Sequence, residues 1–166
     1  EDGELSEAFW NVNLVQRLNT SVTSSPFFKV YLAAQVKNND KGFLSKEISV
    51  NNLVLHRGDI HHIFPRNYLK KAGLTRAYYN QIANYVYMQQ EVNIKIGNKS
   101  PDVYFSQVLD QCNSGELKYG AITNLDELHE NLNQNCIPRS VLTMTIEDYQ
   151  EFLGERRILM ANKIKD

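Results

Sequence analysis

Cysteine is scarce: the 166-residue chain has two, Cys112 and Cys136, with no CxxC spacing. That excludes a secreted disulfide framework and, by ligand count, a zinc ribbon or knuckle. No apolar run approaches the roughly 18 residues of a membrane-spanning helix, and no signal peptide opens the chain. The sequence therefore predicts a cytoplasmic protein with no membrane partner. A Gly-rich phosphate loop is missing, which argues against a hydrolase of small phosphoesters, and there is no internal repeat or low-complexity tract. Nor is there an excess of either charge: 18 Lys+Arg face 19 Asp+Glu, a net of −1, whereas nucleic-acid binders usually carry a basic surplus. What is present is ordinary globular composition, 42 % hydrophobic and 22 % charged. One domain spanning residues 1–166 is the expectation, burying roughly two-thirds of its unfolded surface. The chain opens Glu1-Asp2-Gly3 rather than with Met, which suggests processing or a piece of something longer.

The even charge balance conceals a local one. Residues 57–99 carry seven Lys+Arg and two Asp+Glu, a net of +5, against a net of −6 over the rest. Concentrated positive charge attracts a polyanion whatever the total, so the distribution marks where a nucleic acid would bind.

Helical patterning dominates the flanks. Ser6 precedes Glu7-Ala8-Phe9-Trp10, and Leu14, Val15 and Leu18 continue an apolar stripe. Ser25-Pro26 reads as an N-cap followed by proline at the first helical position. Residues 27–36 are apolar on nearly every side, which predicts a buried helix. Residues 48–55 fit helix or strand. Asp59-Ile60-His61-His62-Ile63-Phe64 is short, β-branched and aromatic, and Pro65 ends it, which predicts a strand. Helical segments follow over residues 66–72, closed by Gly73, and over 75–83. Residues 85–88 are a second strand, 91–96 a helix ending at Gly97, and 101–109 another helix. Residues 111–138 are polar around one short helix near 125–132. Thr145 with Asp148 resembles a capping box, and the last helix runs from acidic Glu147, Asp148, Glu151 and Glu155 to basic Arg156, Arg157, Lys163 and Lys165. That order complements the helix dipole. The class expected is α+β, predominantly helical.

Residues 59–99 hold the chemistry. A strand with paired histidines, a second strand preceded by Asn84 and a helix bearing Asn93 stand in the order strand, strand, helix. Phosphodiester hydrolysis on such a frame needs a neutral imidazole to take a proton from water, a divalent cation against the phosphate, and a group holding the imidazole. Histidine suits the first role, because its unperturbed pKa of about 6.5 lies near working pH. The cation offsets charge on the phosphate and the leaving oxygen, and an asparagine carbonyl suits the third role. Asp59-Ile60-His61-His62-Ile63-Phe64-Pro65, then Ile82-Ala83-Asn84-Tyr85, then Asn93 with Lys95, Asn98-Lys99 and Pro101, resembles an HNH (His-Me finger) nuclease. With Phe152-Leu153 and Arg156-Arg157-Ile158-Leu159-Met160 added, the pattern resembles the C-terminal nuclease module of GmrSD-type restriction proteins. In those bacterial proteins it follows an N-terminal ParB-like nucleotidase domain. The resemblance implies a ββα-metal motif at about 57–99 embedded in a helical domain. Helical flanks lie at 1–56 and 100–166, and the whole belongs to the C-terminal part of a longer protein.

Position by position, the resemblance makes His62 the general base. Asn84 is then the residue that orients His62 and fixes its loop, and His61 and Asn93 are ligands of one divalent metal. The commoner pattern has Asp where this chain has His61, and His where it has Asn93. Mg²⁺ is the first expectation, but hard cations prefer carboxylate oxygens, and imidazole suits Mn²⁺, Ni²⁺ or Zn²⁺. Successive strand residues point to opposite faces, so His61 and His62 share a site only at a strand end or bulge. Asp59 falls on the face of His61 and is a further candidate ligand or partner. Arg66, Lys95 and Lys99 are the expected phosphate contacts. The implied function is metal-dependent DNA cleavage in restriction and anti-phage defence, with DNA and a nucleotidase-like domain as partners. The two departures keep open a catalytically inactive ββα module that binds nucleic acid. Elsewhere the bland roles are favoured: His56 at the surface, His129 on a solvated face beside Glu127 and Glu130, and Cys112 and Cys136 as buried thiols.

Overall fold

The computed structural model of the chain describes residues 2–56, 58 and 60–166, with side chains from residue 7 onward. Helices α1 (Asp2–Arg17), α2 (Pro26–Lys37) and α3 (Val50–Leu55) precede strand β1 (Ile60–His62). Then come α4 (Arg66–Lys71), α5 (Arg76–Tyr79), a 3-10 turn (Ile82–Asn84) and strand β2 (Tyr85–Tyr87). Helices α6 (Gln90–Ile96), α7 (Pro101–Ser114) and α8 (Leu125–Gln134) follow, and after two further 3-10 turns α9 (Tyr149–Lys165) closes the chain. The protein is α+β and mostly helical. Among the described residues its one sheet is the antiparallel pair β1–β2, with His61 opposite Val86 and His62 opposite Tyr85. No helix among the described residues is long and apolar enough to cross a membrane.

Local signals fix many of the boundaries. Ser25 Oγ accepts from Phe27 N at 3.3 Å with Pro26 at the first helical position. Of residues 48–55, Val50–Leu55 form a helix, because Ser49 Oγ accepts from Asn52 N at 3.1 Å, which satisfies an otherwise orphaned donor. Thr145 N donates to Asp148 Oδ2 at 2.9 Å ahead of α9. Three expectations change. Helix α2 is buried on one face only: Phe28, Tyr31 and Gln35 are inside, while Val30 and Val36 are exposed. The helix expected over 75–83 stops at Tyr79, because Asn80 turns extended and Ile82 N bonds to Thr20 O at 2.8 Å instead of continuing a ladder. Helix α7 runs to Ser114, where Gly115 caps it in the left-handed conformation. Its last turn carries Gln111 inward to order the polar loop that follows. Gln111 Oε1 accepts from Tyr119 N at 2.8 Å and its Nε2 donates to Ile122 O at 2.6 Å.

Two apolar clusters meet at the hairpin. Strand alternation sends Val86 into the larger one, with Ile63, Phe64, Val92, Ile96, Tyr104 and Phe105, and Tyr85 into the smaller, with Leu14, Leu18, Phe28, Tyr31 and Met160. Helix α9 spans both. Its first turns bring Phe152 to a 4.9 Å ring separation from Phe64, and its last turns bury Met160 and Ala161 in the smaller cluster. Between them lies Arg156, 1 % exposed. Its Nη1 donates to Ala83 O at 3.0 Å and Tyr85 O at 2.6 Å, and its Nε and Nη2 donate to Asn135 O at 3.2 and 3.1 Å. The buried guanidinium thus serves the hairpin and the end of α8 at once. Replacing Arg156 with Met preserves volume but removes the guanidinium from the buried Ala83 and Tyr85 carbonyls, while Asn135 O keeps Tyr31 Oη at 3.3 Å. Each orphaned group costs about 1–3 kcal/mol. Arg156→Met is expected to destabilise the fold by about 3–5 kcal/mol in urea denaturation, comparable to breaking other buried charged contacts.

Candidate functional site

Strand β1 is short because Pro65 follows it closely, and His62 is its last residue. The strand end is where adjacent side chains can escape alternation, and here both His61 and His62 line one cleft of about 480 Å³. Arg66 and Asn67, from the first turn of α4, line it on one side. Asn93, with Gly97 and Asn98 at the end of α6, lines it on the other. The cleft therefore gathers His61, His62, Asn93 and Arg66, all four expected from the sequence. Asp59 lies outside the described residues.

The turn after β1 is held at every backbone polar group. Ile63 N donates to Asn84 O at 2.9 Å, and Ile63 O accepts from Tyr104 Oη at 2.7 Å. Phe64 N donates to Asn84 Oδ1 at 2.8 Å, and Phe64 O accepts from Asn84 Nδ2 at 3.0 Å. A carboxamide offers a donor and an acceptor side by side, as a peptide does, so fully buried Asn84 acts as a surrogate strand partner. Its Nδ2 also lies 3.5 Å from Tyr79 O, while His62 Nε2 lies 3.0 Å from Asn80 Oδ1. The His62 ring also sits edge-to-face against Tyr85, with centroids 5.2 Å apart.

Two of the expected phosphate contacts fall elsewhere. Lys95 lines a separate cavity on another side of α6, with Lys46 and Lys118. Helical geometry explains this, since Lys95 is two residues from Asn93 and so points away from it. Lys99 Nζ folds back onto Lys95 O at 2.9 Å and does not line the histidine cleft. Cys136 is buried as expected, while Cys112 is only partly so, and burial raises both thiols above their ordinary range. Asn80 and Asn67 were not singled out in the sequence. The chain has 18 asparagines, and no spacing rule separates these two from the rest.

Burial lowers the His62 imidazole from its ordinary 6.5, and the neighbouring Arg66 and His61 charges act in the same direction. The Asn80 hydrogen bond opposes them. The ring is accordingly neutral at neutral pH, the form a base requires. Among the described residues no three His, Cys, Asp or Glu side chains converge. The donors in the cleft are two imidazoles and the Asn93 carboxamide, a set that fits a borderline cation such as Mn²⁺, Ni²⁺ or Zn²⁺ better than Mg²⁺.

No family model matches the chain, and no solved structure matches it. A stretch of 79 residues, 47 % of this chain, is 29 % identical to the uncharacterized protein MJ0686 of Methanocaldococcus jannaschii, and covers 14 % of that protein.

The lowered imidazole has a stability consequence. In the unfolded chain His62 takes a proton below about pH 6.5, while the folded site resists it. Its contribution is complete above about 6.5 and is lost as pH falls through the lowered folded value. The urea midpoint should fall less for His62→Gln than for the parent between about pH 7.5 and about pH 5.

Proposed function

We propose that this chain is a His-Me finger endonuclease that hydrolyses phosphodiester bonds in DNA with one divalent cation. The observation that carries the reading is the cleft itself. β1, β2 and α6 succeed one another in the chain, and His61 and His62 from the first face Asn93 from the last. The net +5 over residues 57–99 supports a polyanionic substrate. The same reading makes the chain the C-terminal nuclease module of a GmrSD-type restriction protein. There it would work in bacterial defence alongside an N-terminal nucleotidase-like domain.

In this mechanism a DNA phosphate enters the cleft against exposed Arg66. An amide oxygen only accepts, so His62 Nε2–H donates a hydrogen bond to Asn80 Oδ1 and the Nδ1 lone pair is left free. That lone pair removes a proton from water as the water oxygen attacks phosphorus, and the bond to the leaving deoxyribose oxygen breaks. His61 and Asn93 would hold the cation, with Asp59 as a further ligand. When bound, the cation stabilises negative charge on the phosphate and the leaving oxygen. Asn84 and Tyr104 keep the turn rigid beneath these groups.

The neutral donor set favours one second reading, a ββα module that binds nucleic acid without cleaving it. Cleavage of duplex DNA with Mn²⁺ decides between them. His62→Ala should lower the rate by at least about 100-fold, as removal of a general base does, while His129→Ala leaves it unchanged. If His62→Ala cleaves as fast as the parent, the mechanism is wrong. If the parent takes up no Mn²⁺ in calorimetry and cleaves nothing, the binding-only reading replaces it.

A further inference from the structure

Asn80 stands where helix α5 gives way to extended backbone, at the C-terminal cap of that helix. A capping role would need only its backbone, whose N–H donates to Arg76 O at 3.1 Å. The side chain is used differently: its Oδ1 lies 3.0 Å from His62 Nε2. The segment that presents it is tied down from three directions. Gln81 Nε2 donates to Ala77 O at 3.0 Å, Gln81 Oε1 accepts from Arg157 Nη2 at 3.3 Å, and Ile82 N donates to Thr20 O at 2.8 Å. Tyr85 stands edge-to-face to the ring, its hydroxyl donating to Ser21 O at 3.2 Å. His62 is thus held by a hydrogen bond at one nitrogen and by an aromatic wall, and both supports are anchored outside the hairpin.

We propose that Asn80 is a positioning residue that fixes His62 in its Nε2–H tautomer and so reserves Nδ1 as the nitrogen available to a substrate. The acceptor has no second option: a carboxamide oxygen bonded to a neutral imidazole requires the proton on the facing nitrogen. The tautomer is a property of the folded chain alone; its consequence for catalysis rests on the nuclease reading above.

The experiment uses the full chain labelled with ¹⁵N-histidine, free of metal, at neutral pH. The parent should show His62 as a single Nε2–H tautomer, with that proton protected from solvent exchange. In Asn80→Leu the protected proton should disappear, and in Asn80→Asp, which keeps an acceptor oxygen, it should return. Asn80→Ala serves as the second acceptor-free variant should leucine not be accommodated. With Mn²⁺ and duplex DNA, Asn80→Leu should lower kcat by about 10- to 100-fold, the range seen when a group orienting an acting imidazole is removed, with KM unchanged. A protected Nε2–H that survives in both Asn80→Leu and Asn80→Ala overturns the proposal. A signal that is lost and restored as expected, in a parent that cleaves no DNA, upholds the tautomer assignment and overturns the nuclease reading.

Discussion

A single buried cation organises this fold. Arg156 has carbonyl oxygens for partners, two from the hairpin side and one from the end of α8, and its side chain sits where the two apolar clusters adjoin. A guanidinium presents five donors in a rigid plane, and three carbonyl acceptors from two separate segments converge on it. The positions of β2, α8 and α9 are therefore set by one another. Ala83 and Tyr85 flank Asn84, so the same contact that docks α9 also fixes the residue that clamps the turn beside His62.

Around that centre the chain solves a recurring problem with carboxamides. Its strands are three residues long and its loops are many, so backbone groups that a larger sheet would pair need other partners. Asn84 supplies them to Phe64, Gln111 to the loop after α7, and Asn131 to the segment before α3. Asn131 Oδ1 accepts from Leu44 N at 2.8 Å and its Nδ2 donates to Gly42 O and Ser45 O at 3.0 Å. Leu44 has φ +60°, an arrangement a leucine rarely takes unless its surroundings hold it there. Gly120 packs against it, since a Cβ at that position would meet Leu44 O at 2.4 Å. Side chains thus stand in for strands, and beside the cleft it is Asn84 that does so.

Much of this was legible in the sequence, and the gaps have physical causes. Caps and turn residues announced themselves, because they act on neighbours within a few positions: Ser25, Pro26, Gly73 and Gly97 each mark an end that the fold shows. The pair His61 and His62 with Asn93 could be read from order and spacing, and Pro65 so close to His62 signalled the strand end that lets both histidines reach one cleft. The partner of His62 could not be read, because its identity depends on where a helix breaks under tertiary contact at Asn80. Lys95 and Lys99 misled for the opposite reason. Proximity to Asn93 in sequence suggested proximity in space, but the turn of α6 carries Lys95 to another face.

The ties that complete the structure reach far along the chain. Arg156 and Ala83 are 73 residues apart, and the ion pair of Lys163 with Asp40 joins positions 123 residues apart. Contacts of this span form only after the intervening chain exists and has paid its closure entropy. On the ribosome, domains fold as units as they emerge, and here the arginine that caps Ala83, Tyr85 and Asn135 emerges 73 residues after Ala83. The histidines precede α9 in the sequence and depend on it in the fold. A nascent chain carries them long before it carries the frame that aims them, so whatever chemistry the site performs is withheld until α9 has been made.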